Sequence, residues 1–82
     1  MDPMRLHILT PSGPLVDAAV SLVRLPGSLA PFEVLPGHAP IISSLERGEV
    51  AYVEEGVEKR VAIASGFVEV LSDRIEIGRA HV

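Results

Sequence analysis

The side chains best suited to act as base, ligand or nucleophile in this 82-residue chain are three histidines, eleven carboxylates and its serines. Cysteine is absent, which excludes disulfides, thiolate zinc sites and a cysteine nucleophile. His7, His38 and His81 stand at no spacing that brings two imidazoles to one side of a metal, and no partner base accompanies His38. His38 is expected to cap backbone carbonyls or pack on a neighbour, with a partner contact as the alternative; His7 and His81 are expected to be solvated. Glu46 and Glu49 flank a turn, and Glu54, Glu55 and Glu58 surround a hairpin tip, where charge keeps an edge soluble. A glycosidase pair needs a cleft and ring platforms, yet Phe32, Tyr52 and Phe67 are the only aromatic residues. Ser65-Gly66-Phe67 lacks the G-x-S-x-G elbow, and no G-x-x-x-x-G-K-[ST] phosphate loop occurs. The chain is expected not to be an enzyme, and to use no metal or cofactor.

Partner classes narrow in the same way. A net charge of −4 with seven scattered Lys and Arg argues against nucleic acid or an anionic membrane surface. No apolar run approaches the roughly 20 residues that cross a bilayer, and the start MDPMRLHIL is acidic with no cleavage-like site after it. A soluble domain without direct membrane insertion is expected.

The elements that must carry these residues are strands. The segment FEVLPGHAPIISSL, residues 32–45, holds Pro36 and Pro40. Each fixes φ, removes a donor and forces its predecessor extended, so the stretch is a rigid corner between strands. Strands are predicted over 5–10, 15–18, 20–25 with a bulge before it, 32–35, 39–45, 50–53, 57–64, 67–71 and 74–77. Pro26-Gly27 is read as a turn with positive φ at the glycine, Ser65-Gly66 as a break, and Glu54-Glu55-Gly56 as a hairpin loop. Val68, Val70, Ile75 and Ile77 against Glu69 and Glu76 give the period-two pattern of a hairpin with one buried face. Apolar content is 48% but aromatics only 4%, so Val, Ile, Leu and Ala must fill the interior, which favours β structure. With turn signals every eight to twelve residues or so, the fold class is all-β: one flattened antiparallel sandwich of about 8–10 strands over residues 1–82. The strands at 18–25, 50–53 and 61–64 put apolar or small residues on both sides, so a partner is expected to cover an outer face.

In order along the chain, RLHILTPSGPLVD, VRLPGS, FEVLPGHAPII and SGFVEVLSDRIEI resemble the amino-terminal β-sandwich domain of the ε subunit of F-type ATP synthases. The resemblance implies a central-stalk component that binds the γ subunit through one sheet and the ring of c subunits through loops at one end. It implies a peripheral position on the cytoplasmic face of the bacterial inner membrane and a coupling role, with catalytic ATP sites on other subunits. Carried over by position, Ser28, Leu29, Ala30, Pro31, Phe32, Glu33, Ala39, Pro40, Ile41 and Ile42 would face the c ring, and His38 and Ser43 would lie near γ. The family's Gly-Glu-Phe/Leu-Gly pattern before the corner is replaced here by Ala30-Pro31-Phe32-Glu33, which stiffens the loop and moves the charge to Glu33. Relatives commonly continue into a carboxyl-terminal helical hairpin that brakes hydrolysis and in some cases binds ATP. That hairpin is expected to be absent here, and no ATP binding is expected. The competing reading is an unrelated β-sandwich module for small ligands or sugars.

Overall fold

A computed structural model describes residues 4–82; of the domain expected over 1–82, residues 1–3 lie outside the described residues. Among the described residues the regular elements are nine strands: β1 (Met4–Thr10), β2 (Gly13–Val20), β3 (Leu22–Leu25), β4 (Phe32–Val34), β5 (Ile41–Leu45), β6 (Gly48–Glu54), β7 (Val57–Ile63), β8 (Ser65–Val70) and β9 (Arg74–His81). They form two sheets, a five-stranded one in the order β2-β1-β9-β8-β5 and a four-stranded one in the order β4-β3-β6-β7. The all-β sandwich expected from the sequence is the observed fold.

The sheets close on each other through their alternating apolar faces. Leu6 and Ile8 of β1, Val20 of β2, Val68 and Val70 of β8, and Ile75 and Ile77 of β9 are fully buried from one side. Val23, Leu25, Val34 and Val50 meet them from the other, with Tyr52 and Ile63 at the margin. Burial of these aliphatic side chains, each worth about 1.5–3 kcal/mol against exposure, is what holds so small a domain together.

Several features depart from the sequence reading, one of them the pairing of β1 with β9, which is parallel where an antiparallel sandwich was expected. The run 20–25 is two strands in different sheets: at Ser21, whose amide donates to Val53 O at 3.0 Å, the chain leaves one layer for the other. Ser65-Gly66 is the start of β8 rather than a break, and the crossing falls at Ala64. β9 runs on past Ile77 to His81, because Arg79 takes φ +54° and shifts the buried phase from Ile77 to Ala80. That is a bulge, with one extra residue on β9 opposite the Ser65 to Phe67 irregularity of β8.

The turns follow local chemistry. Glu54 pairs with Val57, so the hairpin loop is only Glu55-Gly56, both at positive φ as a type I′ turn requires. Gly27 departs from its predicted role. Its φ is not positive; it is glycine because a Cβ would stand 2.6 Å from Ala30 O and 2.8 Å from the Phe32 ring.

Candidate functional site

The proline corner links β4 of one sheet to β5 of the other. Its turn is Leu35-Pro36-Gly37-His38: the His38 amide donates to Leu35 O at 3.1 Å, proline sits first and Gly37 has φ +82°. Those are the marks of a type II turn. His38 Nδ1 lies 2.8 Å from Ala39 O, so that nitrogen carries a proton and caps the carbonyl, as the sequence suggested. Leu35, Ala39 and Pro40 are exposed beside it.

At the other end of β5 a second loop is rooted. Gly27 bridges Leu45, the Ser28 amide donates to Ser44 O at 3.0 Å, and Ser44 Oγ donates to Ser28 Oγ at 2.8 Å. Glu46 N closes the base on Pro26 O at 2.9 Å. From this root Leu29 projects wholly into solvent, at 101% relative exposure.

The residues assigned to the c ring therefore divide. Ser28, Leu29, Ala30 and Pro31 lie past the carboxyl end of β5, whereas Ala39 and Pro40 precede its amino end. Phe32 turns its ring onto Gly27 and the core. Glu33 lies on the outer face of the four-stranded sheet, 3.1 Å from Arg24 Nε. Ile41 packs against the core, while Ile42 stands out on the five-stranded sheet at 67% exposure. Of the pair assigned to γ, His38 is in the corner and Ser43 pairs with buried Val68, half-buried, its hydroxyl donating to Ser44 O.

The two outer faces differ in chemistry. On the four-stranded sheet Arg24 contacts Glu33 and Glu58, and Arg60 contacts Glu58 and Glu49, so an ionic lattice covers Ala51. Glu58 holds the Arg60 guanidinium protonated to a still higher pH than usual, and Glu54 does the same for Lys59. The oily flank expected over 18–25, 50–53 and 61–64 is not there. Its apolar residues divide among the core, this charged face and, for Ala19 opposite Arg5, the outer face of the five-stranded sheet.

Exposed apolar surface lies instead on the five-stranded sheet. Leu9 and Phe67, each 47% exposed, stand on either side of Gly78, with Ile42 on the edge strand beyond. Below them runs a polar row, Asp17, His7, Glu76 and Glu69, in register across β2, β1, β9 and β8. His7 keeps about a third of its side chain in solvent but is not free there: its Nε2 is 3.0 Å from Asp17 Oδ1, which also accepts from Arg5 Nε at 2.8 Å. The Arg5 hydrogen bond, aided by its charge and by His7, holds the Asp17 carboxyl below the usual range. The sequence reading passed over Phe67, although a signal was present: in Phe67-Val68-Glu69-Val70 the ring shares the face of Glu69, opposite the buried valines.

Among the described residues no three His, Asp or Glu gather where they could hold a metal ion. Fold and surface together define a small two-sheet β-sandwich with one ionic outer face and one partly apolar, partly acidic one. Residues 3–78 match the family described as the ATP synthase delta/epsilon chain β-sandwich domain, and the chain belongs to that family. Relatives named ATP synthase epsilon chain include one from Koribacter versatilis, 38% identical over 93% of this chain and 54% of its own length. Another, from Bacillus subtilis, is 35% identical over 94% of this chain and 58% of its own. The chain spans about half the length of these curated relatives. The same fold occurs in a cryo-EM structure of the Euglena gracilis mitochondrial ATP synthase, with TM-score 0.85 at 20% identity over 94% of this chain and 50% of that one. It recurs in the central stalk and c ring of the Tetrahymena thermophila mitochondrial enzyme, with TM-score 0.79 at 15% identity over 98% of this chain and 64% of that one.

Proposed function

We propose that this chain is a central-stalk component of a rotary F-type ATP synthase or ATPase, binding the γ subunit and the c ring and coupling ion movement to ATP synthesis or hydrolysis without doing chemistry itself. The observation that carries the reading is the family match over residues 3–78, with relatives named ATP synthase epsilon chain at 35–38% identity. The exposed apolar strip of Leu9, Phe67 and Ile42 supports it, because such a strip on a small domain marks an interface. The alternative of an unrelated sandwich module falls with the family match.

On this reading the domain sits at the cytoplasmic face of the bacterial inner membrane, held there by the c ring. The loop carrying Leu29 and the corner carrying Ala39 and Pro40 offer apolar tips at opposite ends of β5, and those tips with Ile42 are the candidate ring contacts. His38 and Ser43 remain the candidate γ contacts in the corner and strand. Glu33 is already engaged by Arg24, so a polar ring contact at Glu33 would have to displace that pair. The test is capture of purified γ and c subunits on the immobilised chain. Retention of γ is expected; failure of both subunits to bind overturns the reading.

A further inference from the structure

Gly78 has neither of the usual reasons to be glycine. Its φ is not in the left-handed region, and among the described residues nothing lies within 4 Å of the place a Cβ would occupy. A glycine inside a strand gives up packing and backbone entropy, so the open space above it is costly to keep. It floors a groove of about 340 Å³ between Leu9 of β1 and Phe67 of β8, rimmed by Glu69 and Glu76 on one side and Arg79 on the other.

The rim carries an unbalanced charge. Glu69 and Glu76 are directly opposed across β8 and β9, a like-charge pairing that destabilises a sheet. Arg74 lies 3.4 Å from Glu76, but among the described residues the ion pairs of this sheet use Asp17 and Glu76 and none reaches Glu69. A cation supplied from outside would relieve the opposition, and an apolar side chain would fill the space over Gly78 while covering Leu9 and Phe67. These two needs describe one occupant.

We propose that the groove over Gly78 seats a single apolar side chain from a protein segment that carries a Lys or Arg beside it, the cation resting between Glu69 and Glu76 and a carboxylate or backbone carbonyl meeting Arg79. The inference rests on the central-stalk reading for the owner of that segment, which is then the γ subunit. It adds the seat and the chemistry the segment must have.

Binding of purified cognate γ to the immobilised chain, at low and high salt, tests it with three variants. Gly78→Val fills the groove without touching a charge and should fold with an unchanged or raised Tm, because valine favours strands. Its Kd should rise about tenfold or more. Glu69→Gln should weaken binding by about threefold and flatten its salt dependence. Should Gly78→Val lower the Tm, Phe67→Ala, which removes an exposed ring, carries the decision by the same rise in Kd. Wild-type affinity in the folded groove variant overturns the seat while leaving the stalk reading intact. A wild-type chain that ignores γ overturns the stalk reading and the named occupant together. Self-association in sedimentation equilibrium that Gly78→Val abolishes would make the occupant a second copy and overturn the assignment to γ.

Discussion

One oxygen of Asp17 accepts from Arg5 and lies 3.0 Å from His7 Nε2, and both contacts are on a solvent-facing strand pair, with the Arg5 and Asp17 side chains 52% and 57% exposed. Its folded pKa lies below the ordinary 3.8, so the ionised form is the one the fold favours. The resulting stability is present above about pH 4 and is lost as pH falls through the folded value. Asp17→Asn should therefore lower the Tm at pH 7 by a small amount, and the gap between variant and wild type should close near pH 2; a gap that widens in acid would contradict the pairing. The arrangement was not legible in advance. His7 reads as solvated from its own strand alone, because its partner is ten residues away across a hairpin whose register a bulge at Ile8 and Leu9 fixes. His38, by contrast, was readable, since two flanking prolines leave its ring little to do but cap the adjacent backbone.

Among the elements, the joint between β3 and β5 is the one that a single atom controls. Gly27 lets the end of β3 approach both Ala30 O and Phe32, and its bridge to Leu45 ties the two sheets at that end. Gly27→Ala should cost about 1–3 kcal/mol, because a methyl group there must displace backbone and an aromatic ring together. Urea denaturation would read the loss, and a variant as stable as wild type would mean the loop has slack. Strand existence was legible throughout, because alternation of apolar and polar side chains survives wherever one face is buried. Boundaries failed where that alternation slipped. At Ser21 and Ala64 the chain changes sheet, and at Arg79 a left-handed residue shifts the phase, so a run that reads as continuous divides and one that reads as ended goes on. The groove was half legible: Phe67 shares a face with Glu69, but Gly78 and Leu9 join them only through the pairing of three strands.

At the scale of the whole molecule, the least legible feature is which strands are neighbours. β1 and β9 pair in parallel at the centre of the five-stranded sheet, Arg5 with Arg74 through Ile8 with Ile77, so the crossover between them is nearly the entire chain. Local pattern carries no trace of such a pairing; only the demand that Leu6, Ile8, Ile75 and Ile77 share one buried layer selects it. In a parallel pair, the start of β1 and the end of β9 point in opposite directions. Tension drawn through Met4 and His81 would load the hydrogen bonds of the central pair in shear, all at once, whereas a pull across the Glu55-Gly56 hairpin would peel β6 from β7 one bond at a time. Single-molecule stretching through positions 4 and 81 should give a markedly higher rupture force than stretching through 48 and 63, and equal forces would mean that the central pair is no clamp.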